Sequence, residues 1–456
     1  MILPASENQK LIAASLRLYP NAATHYFSTV SKGRRPDLDL ERSVLARFIE
    51  RHPMMRSRLS DDGRGVGLIL SDTFQIDDYI SMEEVDACES ASAVAAASAF
   101  LARPIDPRIS PPYRCRFFVA PDGYLLVRMG HHVVFDGHTR TILLRDLQMI
   151  AQSLQAGDPM PPPPAKTYQD YVAWEGARHQ GEAGRRNLDS AVARLGGYEI
   201  LPLSRKARPA HPGMLLSPVV IVDPERSAQL RGFAREEGAS AFNLFVAVYV
   251  LALGDLTGRR DVGVAAPFGT DRAAGLSNVA GNMIDHLPLR FDLAEARTFR
   301  ALVGLAKQRM HEARRRFVPF NAILKGLGHD VAVAPRPYLQ AIVSYLAGEP
   351  GIPPNLLGTP TDVYQAPSGA ERPFWVPARA LPLELQDIGF LVTDFAGTLR
   401  FRLSVRADLV AQGQLDALAQ QLGELFAALA DAPDAPLEHI PARFQTGVLD
   451  LLEPAI

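Results

Sequence analysis

The residues best suited to chemistry stand together at His131-His132-Val133-Val134-Phe135-Asp136-Gly137. Two imidazoles are followed by three apolar residues, then an acid and a glycine. An imidazole exchanges a proton near neutral pH, which suits a general base. Glycine lets the backbone approach a substrate closely. Its N–H, at a helix start, is placed to face a developing oxyanion. The same residues also have plain structural uses: Asp136 can cap the following helix, and His131 can satisfy a buried hydrogen bond. Histidine and aspartate also bind zinc. However, His131, His132, Asp136 and His138 lack the i, i+4 spacing of ligands on one helix and straddle a strand end, so no metal is expected.

The elements that must position this loop are legible around it. Cys115 to Val119 and Tyr124 to Met129 read as two strands about the turn Pro121-Asp122-Gly123, and the second strand leads into His131. After Gly137 a helix carries Ile142, Leu143, Leu147, Ile150 and Leu154 near one face. Upstream, Leu40 to Arg58 predicts a helix stopping near Pro53, with Leu45, Phe48 and Ile49 on its apolar face, and Ala91 to Ala102 predicts an alanine-rich helix. Further on, Ser240 is a good N-cap for an apolar helix at 241–253. Strands are predicted at Val262 to Ala266, Met283 to Phe291 and Thr398 to Val405, and Leu415, Leu418, Leu422, Leu425 and Leu429 mark an amphipathic helix. Helices alternate with strands in both halves, which argues for an α/β class of sandwiches.

Four consecutive prolines, Pro161 to Pro164, cannot continue a helix and make a stiff connector. They divide the 456 residues into an N-terminal lobe at 1–160, an inter-lobe linker at 161–180 and a C-terminal lobe at 181–456.

Composition narrows the function classes. Forty-eight basic residues nearly balance fifty acidic ones, so no global field draws in nucleic acid or an anionic membrane. The run Arg314-Arg315-Arg316 is a local exception, suited to docking an anionic partner or to being a solvated helix face. Two cysteines, Cys88 and Cys115, build neither a disulfide framework nor a Cys-rich zinc site and read as buried small hydrophobes in a reducing compartment. The start MILPASENQK lacks a secretory pattern. The apolar run Phe242 to Leu253 is shorter than the roughly 20 residues a membrane span needs. A cytoplasmic location is expected.

The motif His131 to Gly137 resembles the HHxxxDG signature of nonribosomal peptide synthetase condensation domains, whose core is shared by polyketide-associated acyltransferases and the wider HxxxD acyltransferases. The resemblance runs nearly end to end. Leu3 to Gln9 (LPASENQ) is similar to the family's L-P-x-S-x-x-Q, Arg51 to Arg56 (RHPMMR) to R-H-x-x-L-R, and Tyr168 to Trp174 (YQDYVAW) to Y-x-D-Y-A-x-W. Val264 to Arg272 (VAAPFGTDR) sits where the family has a strand ending in glycine-arginine. Gly281 to Arg290 (GNMIDHLPLR) resembles G-x-x-x-N-x-L-P-L-R, and Val405 to Leu409 (VRADL) resembles Y-N-x-D-L. Asp285 and His286 depart from the usual Asn-Thr, and Ser344-Tyr345 replaces Asn-Tyr.

The resemblance implies two chloramphenicol-acetyltransferase-like α/β sandwich lobes arranged as a V, with a central tunnel. It implies that His132 is the catalytic histidine, with Gly137 N–H helping at the oxyanion. His131 and Asp136 are then structural, Asp136 pairing with an arginine assigned to Arg272. His138, Asp285, His286 and Ser344 are implied as substrate-binding positions. No cofactor or metal is required, since the acyl group arrives on the phosphopantetheine of a carrier protein or on coenzyme A. The implied partners are an acyl or peptidyl carrier protein and a small amine or alcohol acceptor, with no nucleic acid and no membrane, and a monomer is expected. Three functions follow. One is a stand-alone condensation enzyme forming an amide or ester, including release of a finished chain. Another is a coenzyme A-dependent acyltransferase. The last is a non-catalytic domain that binds a carrier and recruits another enzyme.

Overall fold

The computed structural model describes the chain except residues 1, 19–25, 34–35, 62–64, 89, 204–213, 270–274, 331–336, 348–354, 357–358, 364–385, 396 and 440–456. Chain contacts divide it into two compact units. The first comprises 1–180, 269–284 and 350–381, and the second 181–268, 285–349 and 382–456.

The first 180 residues form β1 (Ile2–Pro4), α1 (Glu7–Leu18), β2 (Tyr26–Gly33), α2 (Leu38–Arg51), β3 (Ser57–Asp61), β4 (Val66–Leu70), β5 (Ile80–Glu84), α3 (Ala91–Ala102), β6 (Tyr113–Ala120), β7 (Gly123–His131), α4 (Gly137–Ala156) and α5 (Tyr168–Gln180). Strand β7 lies in the interior of its sheet, between β2 and β6, and every residue of it is buried. Its Tyr124 and Leu126 join the core made with α2 and α4, while Leu125, Val127 and Met129 join Ala93, Ala97 and Leu101 of α3. A strand covered on both faces reads as a nearly unbroken apolar run rather than an alternation, which is why Gly123–His131 carries its signal in composition.

The apolar face expected of α2 is buried, as are Ile142, Leu143, Leu147 and Ile150 of α4. Pro53 ends α2 and starts a short 3-10 turn, Pro53–Arg56. Asp146, on α4, is fully buried. Its Oδ2 accepts from Arg51 Nε at 2.8 Å and from His52 Nε2 at 2.8 Å, and its Oδ1 from Arg145 Nε at 2.8 Å. Arg51 also donates to the carbonyls of Pro161, at 2.9 Å, and Pro162. Arg51, itself anchored on Asp146, therefore fastens the proline run to this unit.

The second stretch adds α6 (Glu182–Leu195), β8 (Met214–Leu216), β9 (Val220–Ile221), α7 (Pro224–Glu236), α8 (Ala241–Thr257), β10 (Asp261–Gly269), β11 (Ile284–Asp292), α9 (Phe299–Arg315), α10 (Phe320–Gly326), β12 (Ala341–Ala347), β13 (Asn355–Leu356), β14 (Thr359–Val363), β15 (Ile388–Phe395), β16 (Thr398–Arg406) and α11 (Gln412–Asp431). In the second unit the sheet order is β11-β10-β12-β15-β16-β8, with β9 also paired to β16. Helix α8 is apolar all round and buried, as such a helix must be, and Phe245 stacks on Phe426 of α11 with ring centroids 4.6 Å apart. Ser240 caps α8 in a reciprocal box with Asn243. Among the described residues, no single helix is long and apolar enough to cross a membrane.

The expected partition into 1–160, 161–180 and 181–456 differs from this one. Residues 168–180 are helix α5, and its Tyr168, Tyr171 and Val172 are core residues of the first unit. That unit also takes back two later segments. Strand β14 pairs with β2, giving the sheet order β13-β14-β2-β7-β6-β5, and Leu276, Val279, Ala280 and Met283 join its core. The prolines mark a stiff crossing but not a boundary, because Arg51 holds their carbonyls. Cys88 and Cys115 are both buried, as expected.

Burial pushes the Asp146 carboxyl up, but the hydrogen bonds from His52, Arg145 and Arg51 outweigh it and hold the carboxyl down at about 2. A carboxyl depressed on folding contributes stability that is complete above its ordinary value and is lost as pH falls through the lowered one. In chemical denaturation at graded pH, Asp146→Asn is expected to lose on the order of 2 kcal/mol at neutral pH. The deficit should vanish as pH falls from about 4 to about 2. A deficit independent of pH would contradict the ionic role.

Candidate functional site

The loop after β7 begins where the sheet ladder stops. The β2–β7 register ends at Tyr26 opposite His131, so the backbone groups of 132–136 need partners from elsewhere. His131 is fully buried, and its Nδ1 accepts from Val133 N at 3.0 Å. Its carbonyl accepts from Val134 N and Phe135 N at 3.1 and 3.0 Å, which closes the loop into a turn. The Val133 carbonyl accepts from Gln9 Nε2 at 2.7 Å. Gln9 is held in turn by Ser6, since Gln9 N donates to Ser6 Oγ at 3.2 Å and Ser6 N to Gln9 Oε1 at 3.0 Å. The Ser6-x-x-Gln9 spacing is thus a capping box whose free amide arm holds the histidine loop.

His132 is half-buried. Its Nδ1 lies 2.7 Å from the Phe135 carbonyl. A carbonyl oxygen only accepts, so Nδ1 carries a proton, and in the neutral ring Nε2 then carries the lone pair. Burial lowers the pKa of this imidazole from its ordinary value, against the raising effects of the Phe135 hydrogen bond and the Asp136 charge. Asp136 is buried and caps α4, accepting from Thr139 N at 2.6 Å on one oxygen and from Met283 N at 2.9 Å on the other. Gly137, the first residue of α4, is exposed, and a Cβ placed there meets nothing within 4 Å among the described residues.

Residues 281–284 grip this loop one after another. Gly281 N donates to Thr139 Oγ1 at 3.0 Å, and Gly281 O accepts from the same hydroxyl at 2.8 Å. Asn282 is buried. Its carbonyl accepts from Tyr168 OH at 2.6 Å, and its side-chain Nδ2 donates to the His132 carbonyl. Met283 binds Asp136, and the Ile284 carbonyl accepts from Asn8 Nδ2. Gly281 has φ +157°, and a Cβ there would lie 2.0 Å from the Tyr168 ring, so the segment needs glycine to lie against Tyr168.

The sequence-predicted residues divide between the two units. His131, His132, Asp136, Gly137 and His138 form one cluster in the first. His138 is exposed, and its Nε2 donates to the Ser277 carbonyl at 2.7 Å, so it ties α4 to the 275–284 segment. In the second unit, Asp285 is buried and accepts from His286 N at 2.7 Å and from Phe320 N at 3.1 Å, the latter at the start of α10. Both of its oxygens are thereby engaged by backbone. His286 is half-buried beside Phe320, with centroids 6.0 Å apart, and Ser344 is half-buried on β12. Arg272 lies outside the described residues. Gln9, Thr139, Tyr168 and Asn282 were not among the expected site residues, although the capping-box spacing of Ser6 and Gln9 was readable. Among the described residues, no three His, Cys, Asp or Glu side chains gather as metal ligands.

A model of the condensation domain matches residues 2–349. The chain belongs to the condensation-domain family, as its motifs implied. It is 26% identical over 452 residues to a linear gramicidin synthase polypeptide of Brevibacillus parabrevis, a match covering 96% of this chain and 6% of that protein. The chain thus spans only a small part of that synthase. Among solved structures, it resembles the X-domain of teicoplanin biosynthesis, seen in complex with OxyB, with a TM-score of 0.80 at 21% identity over 97% of this chain and 96% of that one. The condensation domain of the monacolin K polyketide synthase MokA gives a TM-score of 0.76 at 17% identity, over 96% of this chain and 99% of that one. The mixed α/β fold is that of the condensation domains.

Two substitutions test the grip on the loop by thermal denaturation. Asp136→Ala strips the acceptor from two buried N–H groups, each worth roughly 1–3 kcal/mol when left unpaired. Gly281→Ala forces the Tyr168 ring aside. Both are expected to lower Tm, and an unchanged Tm in either would remove that contact from the account.

Proposed function

We propose that the chain transfers an acyl, peptidyl or polyketide chain from a carrier-protein thioester to an amine or alcohol, forming an amide or ester, with His132 as the proton-handling group. The observation that carries this is the 2.7 Å contact between His132 Nδ1 and the Phe135 carbonyl: it assigns the proton to Nδ1, and in the neutral form that burial favours, Nε2 then carries the lone pair on a half-buried ring. In the proposed reaction, the acceptor lone pair bonds to the thioester carbonyl carbon and the C=O electrons move to oxygen. His132 Nε2 takes the proton of the attacking N–H or O–H. Collapse of the tetrahedral oxyanion expels the thiolate, which recovers that proton. A thioester is already activated, so orientation and proton handling suffice. Gly137 N–H, at the start of α4, is suited to the oxyanion, and the absence of a Cβ keeps that approach open. The thiol carrier comes with the substrate, and no cofactor of the protein's own enters the scheme.

The peptide-synthase relative supports a carrier-borne donor over coenzyme A. A second reading, recruitment of a partner without chemistry, is supported by the likeness to an X-domain bound to another protein. The armed imidazole of His132 favours catalysis.

Wild type and variants are incubated with an acyl-carrier thioester, an acyl-coenzyme A and a panel of amines and alcohols, with products read by mass spectrometry. His132→Ala is expected to lose about 10²–10⁴-fold in rate with its Tm kept. Equal rates would take His132 out of the mechanism, and no donor consumed by wild type would favour recruitment. Gly137→Ala is expected to slow transfer without loss of stability. Because burial lowers the pKa of His132, the neutral base persists below the ordinary value of 6.5. The acid limb of kcat/KM is therefore expected to have its midpoint below 6.5, and a midpoint above it would contradict this assignment.

A further inference from the structure

We propose that Asn282 is the positioning residue that aims His132 at its substrate, a role resting on the proton-handling part given to His132 above. His132 is the first residue beyond the β2–β7 ladder, so no strand partner fixes its peptide plane. The carbonyl of that plane accepts from Asn282 Nδ2. The imidazole is tied three residues on, to the Phe135 carbonyl, and Phe135 is itself held by the His131 carbonyl at 3.0 Å. The ring spans two peptide planes, and the direction of Nε2 follows from both. The turn itself sets one plane; the other, whose Val133 N–H donates to His131 Nδ1 at 3.0 Å, takes its second hold from the Asn282 side chain.

The orientation of the Asn282 amide is forced by its two partners. Ile284 N donates to Oδ1 at 3.0 Å, so the other end must be the NH₂ group, and that end meets the His132 carbonyl. Only a side chain that is acceptor and donor at once, and this short, serves both. Leucine would leave both groups unpaired, and aspartate would turn an anion toward the His132 carbonyl. The backbone of Asn282 is fixed from beneath by Tyr168 OH at 2.6 Å. The carboxamide is therefore a strut between a held backbone and the residue that moves the proton. The resemblance assigns this position no role, since it falls on a variable place of the Gly281–Arg290 motif.

The test uses the full chain with Asn282→Ala and Asn282→Asp. The alanine variant is expected to lose about 10–100-fold in kcat, the scale on which misplacement of a reacting group acts, with KM changed less than about twofold. The aspartate variant keeps the acceptor for Ile284 N and guards against a simple failure to fold. It regains a donor toward the His132 carbonyl only when its carboxyl is protonated. Its activity relative to wild type is therefore expected to rise as pH is lowered from 8 to 5, while wild type itself falls. A merely structural asparagine would give a ratio flat in pH.

Nitrogen NMR of ¹⁵N-histidine-labelled protein reads the tautomer without substrate. His132 is expected to be an Nδ1–H tautomer in wild type and a mixture in Asn282→Ala. Unchanged tautomer and unchanged kcat would overturn the inference. A shifted tautomer in a chain whose wild type transfers nothing would leave Asn282 in place and overturn the transfer function instead.

Discussion

A strand that ends in the interior leaves its next few N–H and C=O groups with no ladder to join, and each costs free energy unless something else meets it. The site depends on how that demand is met after His131. Gln9 answers the Val133 carbonyl, Asn282 the His132 carbonyl, and Asp136 the N–H groups of Thr139 and Met283. The His131 ring answers Val133 N, and the His132 ring answers Phe135 O. The groups that satisfy the loop also define it, so one set of hydrogen bonds serves both stability and aim. Deleting a member would shift the loop itself, so a substitution several residues away reaches the placement of the His132 ring.

Much of this was readable in advance, for physical reasons that differ by element. Helix α4 announced itself through apolar residues at helical spacing on a face that is buried, and β6 and β7 through a turn between apolar runs. The capping residues Asp136 and Ser240 do what short oxygen-bearing side chains do at helix starts. The local pattern of His131 to Gly137 sufficed to single out the loop.

What stayed hidden was long-range. Nothing in the spacing of Gly281, Asn282 and Met283 indicates that they face a loop some 145 residues earlier, because tertiary hydrogen bonds leave no periodicity in sequence. Likewise, the proline run reads as a boundary locally, yet Arg51 draws its carbonyls into the first unit. Asp285 and His286 stood out as departures from the family pattern. Their surroundings explain the aspartate as an acceptor for two backbone N–H groups, one at the start of α10. Arg272, named from the same pattern, lies outside the described residues.

The first unit is not contiguous in the chain: it is finished by 281–284 and by β13–β14, which follow long excursions into the second. During vectorial synthesis on a ribosome, both histidines leave the exit tunnel well before the segment that locks them. At about 5–20 residues per second, the interval between Gly137 and Ile284 lasts roughly 7–30 seconds. The nascent chain passes that time with β2 lacking its β14 neighbour and the turn after His131 only half assembled. Maturation of the centre is thereby coupled to translation of the second unit, and a chain truncated after Gln180 contains the whole signature yet cannot complete it.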